Sequence, residues 1–253
     1  LILEKNDIIC DTASAKNTTI GIRMPDNSII HEIIKKSQIP LAAPSANISG
    51  RPSGTSIRDI FEELKDKVDC IIDGGECKIG IESTVVKVID GIPTILRPGY
   101  ITQEDIKKVC KNVKLSANLF KKLEKDENVE SPGMKYRHYA PKTKCILVAK
   151  SDRQIEKINE ILLEYKNACV IGFKEDRNLI KTKKYIDVGS KYNMEEVARN
   201  IFSALRKVDR EKVSLALIEG VDKEGLGLSI MNRLVRACEN KIIDWLRRKS
   251  ICI

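Results

Sequence analysis

Apolar and polar positions follow two rhythms along the chain, and each predicts its own set of elements. In the first third, "TTIGIRMP" alternates like a strand and stops at Pro25. "SIIHEIIKKS" then places Ile29, Ile30, Ile33 and Ile34 on one helical stripe, expected to face a core. "SIRDIFEELKDKV" carries Ile57, Ile60, Phe61, Leu64 and Val68 at helical spacing, with Thr55 or Ser56 placed to cap it and Asp59 three residues after Ser56. "CIIDGG" reads as a short strand with a glycine stop. "ESTVVKVID" and "TILRPG" read as neighbouring strands joined by the "DGIP" turn, and a capped helix opens at Thr102.

Between about Lys111 and Thr143 the pattern decays into polar sequence ending in "ESPGMKYRHYAPKTK", a linker candidate. From Cys145 strands and helices alternate. The expected order is strand "CILVA", helix 151 to 165, strands "ACVIGF" and "KYIDVG", helix 194 to 208, strand "VSLALIEG" and a helix from about 228 to 247. Asn193 and Glu196 are spaced as a capping box. This alternation predicts an α/β layer on a mostly parallel sheet. Gly225 and Gly227 join the last strand to its helix; the turn suits phosphate, but it is not a G-x-G-x-x-G fingerprint and tight packing explains it equally well.

Composition narrows the class. The 253 residues, 42% apolar and 32% charged, suit one large or two smaller globular domains, and no run of eighteen apolar residues suggests a membrane span. Eight cysteines contain no C-x-x-C pair and there are only two histidines, so neither a zinc site nor a disulfide framework is expected; reduced thiols and a cytoplasmic setting are. The net charge of +9 permits contact with nucleic acid or nucleotides. The lysines fall in helical patterns such as "EKINEILLEYKN" and read as solvated faces rather than a dedicated RNA surface.

Four segments could carry chemistry, in a chain without a P-loop, a G-x-S-x-G elbow or an H-E-x-x-H motif. "PLAAPSANISGRPSGT" offers Ser45, Asn47, Ser49, Ser53 and Thr55, with Gly50 and Gly54 allowing close backbone approach before a helix start. Residue types alone leave it open between an anion cradle and a connecting loop with a capped helix. "GIESTVVKV" brings Ser83 and Thr84 to a strand start, where hydroxyls also serve as ordinary backbone partners. "ILRPG" projects Arg97 from a strand end, suited to phosphate or carboxylate and equally to a salt bridge. "PGMKYRHYAP" sets Tyr136, His138 and Tyr139 close together, able to stack on a base or to clasp the linker to a domain. Arg23 is a further isolated arginine near a strand end, and nothing in the sequence fixes a separation for Asp73 and Glu82.

Together "IRMP", "PLAAPSANISGRPSGT", "GIESTVV", "ILRPG", "SPGMKYRHYAP" and "GLGLSIMNRLVRAC", in this order, resemble the threonylcarbamoyl-AMP synthase family in its two-domain form. The resemblance implies an α/β fold: a YrdC-like twisted-sheet domain over 1–112, a linker over 113–143 and a smaller Rossmann-like domain over 144–253, which supports or lids the first. It implies that ATP, with Mg2+, reacts with L-threonine and bicarbonate to give threonylcarbamoyl-AMP and pyrophosphate. Partner proteins then pass the activated group to tRNA beside the anticodon, and contact with tRNA itself is a further expectation. Thr19, Ser45, Asn47, Ser53, Arg97, His138 and Tyr139 are the implied ATP contacts. Arg23, Ala43 and Ser83 are the implied L-threonine contacts.

The family's catalytic domain begins with roughly ninety more residues, judged from typical domain length, including a Lys/Arg-rich and an N-P-L type motif. Neither occurs here. The chain is therefore read as an N-terminally truncated fragment, inactive or weakly active alone, rather than a degenerate protein. Two other readings stand beside the enzyme: a YrdC-like module that binds tRNA or double-stranded RNA without catalysis, and a carbamoyl-transfer relative, against which the linker and C-terminal block argue.

Overall fold

A computed structural model describes residues 1–120 and 139–244. Two five-stranded sheets organise them, each with its own helices. The first sheet contains β1 (Ile2–Glu4), β2 (Thr19–Gly21), β3 (Val85–Ile89), β4 (Ile92–Arg97) and β5 (Lys114–Leu115), in the order β2-β1-β3-β4-β5. It is mixed: β1 runs parallel to β3 and β4 to β5, while β1–β2 and β3–β4 are antiparallel. The β3–β4 hairpin turns at Asp90 and Gly91, both at positive φ (50° and 72°), the geometry that Asp-Gly accepts in a tight hairpin.

The helices of this unit are α1 (Asp11–Ser14), α2 (Ser28–Ser37), α3 (Ile57–Leu64) and α4 (Gln103–Lys107). Ser56 caps α3 by accepting from the Asp59 N–H, and Thr102 and Asp105 form a reciprocal capping box on α4. Two expectations are corrected. The isoleucine stripe of α2 joins no core among the described residues: none of its residues is fully buried, and Ile29 is 42% exposed. Residues 70–75 form no strand, since they find no partner among the described strands.

The second sheet is fully parallel: β6 (Lys144–Val148), β7 (Ala168–Gly172), β8 (Tyr185–Asp187), β9 (Leu215–Glu219) and β10 (Ile242–Ile243), in the order β10-β6-β9-β7-β8. Its central strands are apolar except for Lys144 at the start of β6 and Glu219 at the end of β9, as strands covered on both faces largely are. On one face Ile158, Ile161 and Leu162 of α5 (Gln154–Glu164) pack on Val170 and Leu217. On the other, α6 (Met194–Val208) and α7 (Gly225–Ala237) pack Ile201, Phe202, Leu205, Ile230 and Leu234 against Leu147 and Ile171. The α/β class with a parallel second sheet is thus as the alternation predicts.

Three details differ. Asn193 caps α6 by accepting from the Glu196 N–H, but the Glu196 carboxylate turns to the Ser190 N–H at 3.0 Å, so the box is not reciprocal. Helix α7 starts at Gly225 and stops at Ala237 rather than near 247. Glu239 and Asn240 take left-handed φ (53° and 62°), and the Asn240 N–H bonds back to the Val235 carbonyl; the chain then enters β10. At Gly227 an added Cβ would lie 2.1 Å from the Asp222 carbonyl oxygen, so packing requires that glycine. Among the described residues no helix is long and apolar enough to cross a membrane.

Candidate active site at the seam between the two sheets

Sheet topology decides which candidate residues meet. Gly21 pairs with Ile2, and β1 runs parallel to β3, so Arg23 beyond β2 lies at the end where Ser83 precedes β3 and Arg97 closes β4. The Arg97 guanidinium donates to the Ser83 carbonyl through Nη2 (2.9 Å) and Nε (3.3 Å), fixing both residues in one frame. Burial lowers the Arg97 pKa, the charges of Arg233 and Arg23 lower it further, and the Glu82 carboxylate offsets this only in part. These guanidinium groups crowd one region, which favours an incoming anion.

The second unit reaches into this region from α7 and α6. Arg233 is fully buried; it donates to the Glu82 carboxylate (3.0 Å) and carbonyl (3.2 Å) and to the Pro98 carbonyl. It therefore binds the backbone just before Ser83 and just after Arg97. Ser229 donates to the Gly99 carbonyl at 2.7 Å. Gly99 is needed there, since a Cβ would sit 2.2 Å from the Thr84 nitrogen. Burial opposes charge on Glu82, but Arg233 and Arg97 outweigh it and hold the carboxyl below its ordinary range.

Tyr139 closes the seam. It takes a left-handed φ of 62°, is 5% exposed, and stacks on Phe202 of α6 with ring centroids 5.1 Å apart. Burial raises its phenol pKa, and the neighbouring Glu82 charge and hydrogen bond raise it further. The next residue, Ala140, donates its N–H to the Gly50 carbonyl at 3.1 Å, so the linker's end meets the small-residue loop. That loop is fixed internally: Asn47 Nδ2 donates to the Ile48 (2.9 Å) and Arg51 (3.3 Å) carbonyls. It is also fixed from outside, because Arg206 of α6 donates to the Pro52 carbonyl (3.0 Å) and pairs with Asp59 (3.1 Å) and Glu63 (2.8 Å) of α3. Glu63 in turn accepts from the Ile48 N–H at 2.9 Å.

Arg23, Ser83, Arg97 and Tyr139 are thus drawn together. Asn47 and Ser53 lie half-buried in the loop that touches Ala140, while Ala43 and Ser45 lie exposed in that loop. Thr19 starts β2 at its other end, about 13 Å along extended chain from Arg23. His138 and Tyr136 lie outside the described residues. The sequence reading missed Arg233, Arg206, Asp59 and Glu63. A signal exists for Arg233: "SIMNRLVRAC" puts arginines into an otherwise apolar helix, where a cation must find a buried partner.

A family model described as threonylcarbamoyl-AMP synthase, C-terminal domain, matches residues 101–238, and one described as telomere recombination matches residues 1–99. The chain is 39% identical to the threonylcarbamoyl-AMP synthase of Pyrococcus abyssi over 248 residues, 96% of this chain and 71% of that protein. It is 35% identical to the threonylcarbamoyl-AMP synthase of Bacillus subtilis, over 94% of this chain and 68% of that one. A crystal structure of P. abyssi Sua5 complexed with L-threonine superposes with a TM-score of 0.86 at 38% identity, covering 96% of this chain and 70% of that chain.

Proposed function

The chain belongs to the threonylcarbamoyl-AMP synthase family, and on that premise we propose that the seam is where ATP and L-threonine react. The activity is that of a nucleotidyltransferase. The L-threonine amine and bicarbonate condense to N-carboxy-threonine with loss of water, an oxygen of the new carbamate attacks the α-phosphorus of ATP, and the P–O bond to pyrophosphate breaks. The products are threonylcarbamoyl-AMP and pyrophosphate. The activated group is destined for tRNA, carried by partner proteins.

Such a step needs alignment and charge neutralisation more than a covalent nucleophile. Arg97 faces the phosphates, and Arg23 takes the threonine carboxylate, with Ser83 and the backbone at Ala43 completing the amino-acid pocket. Ser45, Asn47 and Ser53 line the nucleotide side with Thr19, and Tyr139 with His138 closes over it. Mg2+ would travel on the ATP phosphates and water, as that ion commonly does. The carboxylate at the seam, Glu82, is taken up by Arg233 and Tyr139 and is not offered as a ligand.

The convergence of Arg23, Ser83, Arg97 and Tyr139 supports this reading above all. Its test is a split in kinetics on the full natural protein. Arg97→Lys keeps charge but loses the planar fork, and is expected to raise KM for ATP about tenfold or more with KM for threonine little changed. Arg23→Lys is expected to do the reverse. Equal effects of both substitutions on both substrates would refute the assignment.

A further inference from the structure

Because all five strands of the second sheet are parallel, the segments preceding them gather at one end of that unit. Those segments, residues 141–144, 165–167, 181–184, 209–214 and 239–241, hold nine lysines and arginines against three carboxylates. The segments at the opposite end, residues 149–153, 173–177, 187–190, 219–224 and 244, hold five against eight. The domain is therefore polarised along its strands, and much of the chain's +9 excess sits on one end.

Six lysines make up the centre of that end. Lys142 and Lys144 lie at the start of β6, Lys212 three residues before β9, Lys166 two before β7, and Lys183 and Lys184 directly before β8. Lys142, Lys166, Lys183 and Lys212 are exposed and make no ion pair among the described residues. Lys184 donates to Asn167 Oδ1 (3.4 Å) and the Glu211 carbonyl (2.9 Å), which brings the β7, β8 and β9 starts together without spending its charge on a carboxylate. Asp209, beside the start of β6, has both oxygens occupied by the Lys142 and Thr143 N–H groups.

We propose that this lysine end of the second sheet is a docking surface for the phosphate backbone of duplex RNA. Five strands at about 4.8 Å spacing spread the charges over about 19 Å, facing roughly ten phosphates of a duplex. The groups between the lysines, Asn167, Thr182 and Ser214, are hydrogen-bonding rather than apolar. Among the described residues, Tyr165 and Tyr185 at this end are packed onto the α5-side core and offer bases no stacking platform and a protein partner no aromatic anchor. Charge geometry argues for a polyphosphate; the choice of RNA rests on the synthase reading, whose product is destined for tRNA.

The test titrates a labelled RNA duplex of about 16 base pairs into the full natural protein across a salt series. Binding is expected to weaken steeply with salt, by about 0.9 log units of affinity per log unit of salt for each phosphate neutralised, taking the B-DNA value as a guide. The triple variant Lys166→Gln, Lys183→Gln, Lys212→Gln is expected to flatten that slope by two to three such contacts and to weaken low-salt binding about a hundredfold. The double variant Lys150→Gln, Lys174→Gln, at the acidic end, is expected to keep the parental slope.

An unchanged slope in the triple variant, loss of binding in the double variant, or no binding by the parent would overturn the proposal. Equal binding of a DNA duplex or of polyglutamate would overturn the assignment to RNA. Threonine-dependent pyrophosphate release, measured in parallel, is expected to be the same in parent and triple variant. Its absence from the parent would count against the reaction and not against the surface.

Discussion

Arg97 and Arg233 meet at one seam with different tasks. Arg97 is half-buried with its fork on the Ser83 carbonyl, whereas Arg233 is fully buried and committed to Glu82, Pro98 and the backbone. Arg233→Met should therefore act first on stability, costing about 3 kcal/mol, because it leaves Glu82 and two carbonyls without their cation. Adding Glu82→Gln should recover part of that loss in a urea-unfolding double-mutant cycle. Strictly additive losses would show that the pair is not coupled.

A second residue-scale prediction concerns Glu219, which is 3% exposed. Its Oε2 accepts from the Phe173 N–H at 2.8 Å, and its Oε1 has no hydrogen-bond partner among the described residues. Burial, and then the Asp176 charge, push its pKa up to about 7 despite that hydrogen bond. The folded state then keeps a proton that the unfolded chain releases near pH 4.5, so stability falls as pH rises from about 4.5 through 7. The loss has a ceiling of about 3 to 4 kcal/mol, at about 1.4 kcal/mol per pH unit. In Glu219→Gln that fall should be missing from thermal melts between about pH 5 and pH 8. A parallel pH profile in the variant would show that Glu219 does not titrate there.

Helix α3 shows what periodicity can and cannot reveal. Its apolar spacing and cap are legible in "SIRDIFEEL", yet the face turned inward is the acidic one. Asp59 and Glu63 are buried against Arg206 while Phe61 is 54% exposed. An apolar repeat locates a helix, but the face it buries depends on what arrives from the other unit, here a guanidinium 147 residues from Asp59 in sequence. Arg206→Ala should lower stability by about 3 kcal/mol, since two buried carboxylates lose their shared partner. It should also raise amide hydrogen exchange in α3 and the 48–52 loop more than in α5. Uniform exchange across all three would show that the arginine is not what docks α3. The strands of the second sheet were easier to read, because parallel strands covered on both faces are continuous apolar runs. The end of α7 was harder: Glu239 and Asn240 carry the stop through backbone φ, with no glycine or proline to mark it.

Over the whole molecule, the ordered motifs disclose more than any one of them. "ILRPG" and "GIESTVV" are ambiguous alone, but the structure joins their arginine and serine at one sheet end and seals them with α7. Topology also changes the meaning of the lysines. Along the sequence they look like scattered solvated positions, and only a fully parallel sheet gathers the strand-preceding ones onto one end. The central claim is the reaction itself, and release of pyrophosphate from ATP by the full natural protein tests it most directly. Pyrophosphate and an AMP-linked threonine product should appear only when L-threonine and bicarbonate are both present. Pyrophosphate release indifferent to threonine, or none at all, would contradict it.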